Sequence, residues 1–365
     1  HQGMILCAIA DLVENGVINE LFSNDEKIAA TLKNYNEITS RLKNSRYFPK
    51  NKEKYNIENE KTYKNINKLE EYFHVFALND GDYKLFINAF GGGFAQNGAI
   101  LCGKFGGIYE ENNGSFFLIK GDDGKIFSPT YLPLTDECRY SVKYFGNEII
   151  LENSTKKLVE KVSLLTGLNG ETRYFECSEN NAKIAFFSPV TLNTLDAYNS
   201  HPTYNGLFIE AKTIGQDCVI LRRRKKSENE KDSVLGVKVC GVKNLRFECN
   251  AENFLGRNGS LRKPKVFSDE DKTAPSTGDV LNPCVGFTGT LMKNNCCVSL
   301  IYGENESEVI NSLNSLPEDT YSFALLSDGK IPVSTETCDV VSEILYLPYR
   351  QTTLSYVIKN GKTLD

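Results

Sequence analysis

Residues 74–90, HVFALNDGDYKLFINAF, set two apolar segments on either side of an Asn79-Asp80-Gly81 turn. Their apolar side chains recur with a period of two, and Asp-Gly between alternating hydrophobics is a strong hairpin signal. The pattern returns over 114–132 (GSFFLIKGDDGKIFSPTYL), turning at Asp123-Gly124, and over 138–155 (CRYSVKYFGNEIILENST), turning at Gly146-Asn147. Residues 157–195 continue it, and strands with turn signals at short spacing run on to about Tyr302. Many short strands joined by tight turns predict a mainly β protein, a large antiparallel sandwich over 72–303.

On both sides of that body the period changes. Residues 1–48 read as helical. Ile5, Leu6, Ile9, Leu12 and Val13 make an apolar surface too broad for a solvated helix, so this helix should sit inside a larger body. Gly16 suits the residue after a helix end, and Ser23-Asn24-Asp25-Glu26 forms a capping box ahead of Ile28, Leu32, Tyr35 and Leu42. A chain that opens inside such a helix is expected to be a cut piece of a longer one. Residues 49–71 are rich in Lys, Asn and Glu and read as an exposed linker, or else as a helix laid over a neighbour. Helical character returns over 304–365. One short helix is stopped by Pro317, and a second, capped by Ser334 or Thr335, carries Val340, Val341, Ile344 and Leu345 before Pro348.

The totals exclude several classes. A net charge of −5 argues against a nucleic-acid binder, which needs a basic surplus. The basic run Arg222 to Lys226 is followed at once by Glu228, Glu230 and Asp232, which reads as a mixed-charge hairpin tip. No apolar run reaches the roughly 18 residues that a membrane span needs. The 11 Cys include no C-x-x-C pair and mostly sit in apolar runs. They read as reduced, buried small hydrophobes of a cytoplasmic protein. With His1, His74 and His201 as the only histidines, a metal centre or a Ser-His-Asp triad is poorly supplied.

The most glycine-rich stretch is 88–107, NAFGGGFAQNGAILCGKFGG. A phosphate loop would need Lys and Ser or Thr after Gly98, where Ala99-Ile100 stand, and Gln96 breaks the dinucleotide pattern. A wide strand-to-strand loop is the reading left, and such a loop on a rigid sheet is a natural place for function. GDDGK, at 121–125, lacks the spacing of a calcium loop.

Five blocks in order resemble glycoside hydrolase family 94. GDYKLFINAFGGGFAQNGA (81–99) resembles the family's early strands and glycine-rich loop. NSHPTYNGLFIEAK (199–212), FECNAENFLGRNGSLRKP (247–264) and STGDVLNPCVGFTGTL (276–291) are similar to consecutive blocks ahead of the catalytic barrel. TCDVVSEILYLPYRQTTLSYVIKNG (337–361) resembles the helical linker into that barrel. The opening, 1–25, resembles the last helices of the glucoamylase-like domain that precedes this region in cyclic β-1,2-glucan synthases.

The resemblance implies a β-supersandwich with a helical N-terminal segment and C-terminal linker helices. The parent would be a synthase or an inverting glycoside phosphorylase. In a phosphorylase, phosphate attacks the anomeric carbon while a carboxylic acid protonates the leaving oxygen. That acid would lie beyond Asp365, so the resemblance carries no catalytic residue into this chain, no metal and no cofactor. Inorganic phosphate would be a co-substrate only. Residues near the sugar cleft would be Gly92, Gly93, Phe94, Gln96 and Asn97, and His1 and Gln2 would be a remnant of the upstream cleft. Partners would be a β-glucan oligosaccharide, the (α/α)6 barrel of the same polypeptide and a second copy in a homodimer. Two other readings stay open: a stand-alone carbohydrate-binding or scaffolding sandwich, and an independent hydrolase with two carboxylates facing across a cleft.

Overall fold

The computed structural model describes residues 64–66, 75–105, 113–121, 123–144, 148–225, 231–268, 278–317, 357–359 and 362–364. The chain divides into two compact units, His1–Glu60 and Lys61–Asp365, and every described residue belongs to the second. The helices expected over 1–48, with His1 and Gln2, lie outside the described residues. So do most of the 49–71 linker and the helix expected before Pro348.

The strands in chain order are β1 (Lys64–Ile66), β2 (Val75–Asp80), β3 (Tyr83–Asn88), β4 (Gly93–Asn97), β5 (Ile100–Gly103), β6 (Phe116–Lys120) and β7 (Ile126–Phe127). Then come β8 (Tyr140–Tyr144), β9 (Glu148–Asn153), β10 (Leu158–Leu165), β11 (Gly170–Glu176), β12 (Lys183–Thr194), β13 (Ile209–Ile214) and β14 (Cys218–Arg223). The set closes with β15 (Ser233–Cys240), β16 (Val242–Phe247), β17 (Gly278–Asp279), β18 (Cys284–Leu291), β19 (Asn295–Gly303), β20 (Val357–Lys359) and β21 (Lys362–Leu364). Four short helices are described: α1 (Leu195–Ser200), α2 (Pro202–Asn205), α3 (Ala251–Leu255) and α4 (Glu306–Ser315).

Two large sheets result. Sheet I has ten strands in the order β1-β8-β9-β10-β11-β19-β15-β14-β13-β17. Sheet II has nine, in the order β16-β18-β12-β5-β4-β3-β2, with β6 joined to β12 and β7. Neighbours pair antiparallel, as hairpin signals require. The opening hairpin pairs Val75 with Asn88 through Asp80 with Tyr83. β1 lies inside the stretch read as linker and adds an edge strand to β8. β20 and β21 form a separate hairpin inside the stretch read as helical linker.

Strand β12 is the spine of sheet II. Its first half lies between β18 and β6, and its last residues pair with β5. The change of partner falls at a bulge between Val190 and Asn193, where buried Leu192 takes φ +51. A bulge re-aims the strand that carries it, which is how one strand serves two neighbours.

The inner faces of the sheets meet in one apolar core. Tyr83, Leu85 and Ile87 of β3 share it with Leu158 and Val162 of β10, Phe186 of β12, Phe287 of β18 and Val298 and Leu300 of β19. The outer faces are covered too. On sheet I, Val309 and Leu313 of α4 pack on Ile220, Val234, Cys297 and Ile301. Asn305 caps α4, its Oδ1 accepting from Ser307 N at 2.9 Å. Lys238 Nζ donates to the carbonyls of Leu316 (2.9 Å) and Leu313 (3.3 Å) beyond the other end, where a cation suits the helix dipole. On sheet II, Phe116, Leu118 and Phe187 are covered by Phe254, Leu261 and Phe267.

The approach of α4 depends on Gly236. A Cβ there would meet Val309 Cγ1 at 2.4 Å and Leu313 Cδ1 at 2.8 Å. Gly236→Ala is therefore expected to cost about 1–3 kcal/mol. A thermal melt reads this directly, at about 2–4 °C per kcal/mol. An unchanged midpoint would mean that α4 gives way at no cost.

Candidate functional site

Over its described residues, 88–105, the glycine-rich stretch is not the wide loop its composition suggests. Only 89–92 connects β3 to β4, and Gly93–Asn97 is strand β4 itself. Asn88 Oδ1 accepts from the backbone N–H groups of Phe90 (2.9 Å) and Gly92 (3.0 Å), closing the turn locally. Gly92 is buried and forms an isolated bridge with Gly114. A Cβ on Gly93 would lie 1.9 Å from the Phe86 carbonyl oxygen, so glycine serves strand packing there. Phe94 is buried and stacks on Phe86 at 5.0 Å. Of the five residues named from this stretch, Gly93, Gln96 and Asn97 stay half-buried, and only the last two bring a polar side chain to the strand's end.

A more open feature lies on the segment after β12. Thr194 caps α1, accepting from Ala197 N at 3.4 Å, and Pro202 opens α2 with its ring preset for a first helical turn. Asn205 anchors the end of α2 to the bulge of β12. Its buried amide donates to the Thr191 carbonyl (2.7 Å) and accepts from Asn193 Nδ2 (3.0 Å). The neighbouring 280–283 segment is held by Val280 N to Ile209 O (3.1 Å) and Ala251 N to Asn282 O (2.8 Å). On this fixed base stand exposed Tyr204 (61%), Leu207, Phe208 and Leu281 (60%). His201 sets its ring against Tyr204 at 5.8 Å, and the Arg223 guanidinium lies over Phe208 at 5.3 Å. Beside them opens a cleft of about 230 Å³ with Tyr198, Pro202, Leu281 and Asn282 in its wall, and among the described residues Lys104 is its one charged lining residue. Scattered exposed apolar residues are ordinary, but here four stand on two segments that hydrogen bonds tie to the sheets.

The basic run is absorbed by its surroundings. Arg222 faces Glu210 (3.5 Å), Asp232 (3.6 Å) and Glu306 (3.3 Å), and Arg224 pairs with Asp279 (2.9 Å). The hairpin tip beyond them lies outside the described residues. A second cleft, about 390 Å³, runs from Asn193 to Arg223 and Tyr302. Among its described carboxylates, Asp232 lies beside Arg222 through Oδ2 while its buried Oδ1 has no hydrogen-bond partner, and Glu304 pairs with Lys231.

A third arrangement is hidden between the sheets. Arg173 donates through Nε to Glu171 Oε1 (2.6 Å) and through Nη1 to Glu160 Oε1 (2.8 Å), while Tyr83 OH donates to Glu171 Oε2 (3.1 Å). All four side chains are buried. Two carboxyl groups thus converge on one guanidinium between the sheets, and Tyr83, Glu171 and Arg173 line with Gly93, Phe94 and Lys104 a cavity of about 20 Å³, room for a water and not for a sugar. Among the described residues no group of three His, Cys, Asp or Glu could hold a metal ion. Nine described cysteines are free and all but Cys138 are buried. Burial pushes the thiols of Cys218, Cys249 and Cys297 up to about 12, so they are poor nucleophiles. Among the described residues no helix is long and apolar enough to cross a membrane.

The family resemblance of 199–212 does not disclose the exposed apolar residues that this segment carries. A signal was present, because three large apolar residues stand in a turn rich in Pro, Asn and Gly where polar residues are usual.

Two stacked antiparallel sheets of ten and nine strands, with their outer faces covered, define a large double-sheet sandwich. The family model for the glycosyl hydrolase 94 supersandwich domain matches residues 67–292, and the chain belongs to that family. It is 22% identical over 319 residues to the cyclic β-(1,2)-glucan synthase of Rhizobium meliloti (strain 1021), covering 78% of this chain and 11% of that protein. The chain thus spans a small part of the length of this relative. A solved family GH92 α-mannosidase from Bacteroides thetaiotaomicron matches 52% of this chain and 24% of its own, at 14% identity and a TM-score of 0.31, too loose a likeness to argue from.

Proposed function

We propose that this sandwich is the supporting, non-catalytic module of a glycan-processing enzyme of the β-glucan synthase or phosphorylase type. The observation that carries the reading is the rigid apolar platform of Tyr204, Leu207, Phe208 and Leu281, a surface suited to a further domain of the same polypeptide, such as an (α/α)6 barrel. The parent's substrate would be a β-glucan oligosaccharide. Inorganic phosphate would be a co-substrate if the chemistry is phosphorolysis, with inversion at the anomeric carbon. Gln96 and Asn97, at the end of β4, are the residues of the glycine-rich stretch best placed to reach a sugar. Cytoplasmic location and a homodimer belong to the same reading.

The test has two arms. The isolated chain, given a β-1,2-glucooligosaccharide and phosphate, is expected to release no glucosyl phosphate, and phosphorolysis by it would overturn the reading. In the full polypeptide, Leu281→Asp is expected to lower activity at least about tenfold by placing a charge in a buried contact. Full activity in that variant would remove the platform from the interface.

A second reading, a carbohydrate-binding sandwich, is favoured by one observation: Tyr204 stands exposed beside an open cleft. The chain has no Trp, so tyrosine fluorescence reports on the rings directly during a glycan titration. Saturable quenching that Tyr204→Ala abolishes would favour this second reading.

A further inference from the structure

We infer that the Glu160, Glu171, Arg173 and Tyr83 cluster is a one-proton latch between the two sheets, in which Glu160 is a neutral carboxylic acid, Glu171 the anion and Arg173 the cation. The inference stands apart from the proposed function and concerns how the sandwich is held together.

The hydrogen bonds distinguish the two carboxyls. Glu171 has both oxygens engaged, one by Arg173 Nε at 2.6 Å and one by Tyr83 OH at 3.1 Å. Glu160 has only Oε1 engaged, by Arg173 Nη1 at 2.8 Å, while its Oε2 is buried with no protein partner. Glu160 is fully buried, and its neighbours across the ladder are Leu151 of β9 and Phe175 of β11. With both acids ionised, one guanidinium would face two anions, and a bare charged oxygen would sit in apolar surroundings. An unpaired buried charge costs far more than an unpaired neutral hydroxyl. The proton therefore resides on Glu160, and the negative charge sits on Glu171, where the guanidinium and the tyrosine hydroxyl converge.

Burial pushes the Glu160 carboxyl above the usual carboxylate range, and the attraction of Arg173 opposes this without cancelling it. Lys104 lines a small cavity together with Glu171 and Arg173, and the titratable groups beside the two acids, the cluster's own Tyr83 from β3 with Cys102 from β5 and Cys296 from β19, are each raised by burial as well. These buried groups stay neutral in the range where Glu160 changes charge. The Tyr83 to Glu171 bond is the cross-sheet member, since Tyr83 belongs to sheet II and Glu171 to sheet I.

The consequence is a stability that falls with alkali. A carboxyl whose folded value lies above its unfolded value, about 4.3 for Glu, binds more protons folded than unfolded. Its contribution is complete below the unfolded value and is lost as pH rises through the folded one.

Two measurements on the described chain test this. In a pH titration with 13C-labelled glutamate, one carboxyl is expected to keep the shift of a protonated acid after the other glutamates have ionised, and that signal to vanish in Glu160→Gln. If every glutamate carboxyl ionises together in the ordinary range, the inference is wrong, and this measurement needs no variant to fold. In thermal melts from pH 5 to 9, Glu160→Gln mimics the neutral acid. The wild type is expected to fall behind it by at least about 2 °C as pH rises. A difference that stays flat with pH would overturn the latch. Neither result bears on the platform or on glycan chemistry, so the two proposals fail separately.

Discussion

Arg173→Met is expected to destabilise the sandwich by about 3–5 kcal/mol at neutral pH, a large fraction of the stability of an ordinary domain. Methionine keeps much of the volume but removes the charge that two buried carboxyl groups share. Arg173 is 3% exposed and holds Glu171 at 2.6 Å and Glu160 at 2.8 Å. The deficit should shrink as pH falls, because protonating Glu171, the carboxyl group that carries the charge, removes the uncompensated anion. Urea denaturation at pH 5 and pH 8 measures both effects. A loss under about 1 kcal/mol at pH 8 would mean that water already reaches the cluster, contrary to its burial.

Phe186→Ala is the other large effect, again about 3–5 kcal/mol. Phe186 lies in the first half of β12, between β18 and β6, and is fully buried. Its ring stacks on Phe287 of β18 at 5.6 Å and meets Phe117 of β6 at 4.9 Å in a tilted contact. Truncation removes buried apolar surface and leaves a cavity between two sheets that antiparallel ladders hold apart. The aromatic pairs add about 0.5–1.5 kcal/mol each beyond area alone. Tyr204→Ala is the matched control, since a ring 61% exposed has little burial to lose on folding. The same denaturation series should therefore separate the two variants clearly. Equal losses would mean that Tyr204 is covered in solution, which would itself locate a partner on the platform.

How much was legible depends on which interactions are local. The hairpin at 79–82 was readable because turn chemistry and alternation both act within a few residues. The ladder from Val75–Asn88 to Asp80–Tyr83 follows from them. The helix at Glu306–Ser315 was readable for the same reason, from the proline that stops it, while its Asn305 cap was seen only in the structure. The glycine-rich stretch misled in its shape. Glycine permits a wide loop and a tightly packed strand alike, and the choice was made by the Phe86 carbonyl that leaves no room for a Cβ at Gly93. The charged cluster was hidden for a related reason. On β11 a period of two puts Glu171 and Arg173 on the same face as Phe175, and the sequence does not say whether water or Glu160 of β10 meets that face.

By itself, the amino-acid sequence determined the mainly antiparallel β character, most of its hairpins, the helix after β19 and, through five ordered blocks, the family. These rest on propensities, turns and periodicities that span a few residues. Tertiary structure alone decided that β12 is shared by two neighbours and that α4 covers sheet I through Gly236. It also decided that Glu171 meets Tyr83 across 88 residues of chain and that Tyr204 and Leu281 come to stand on one exposed base. Each of these depends on the distance between strands remote in sequence. That distance is set by the whole packed core at once, because side chains in a close-packed interior settle only against neighbours already in place.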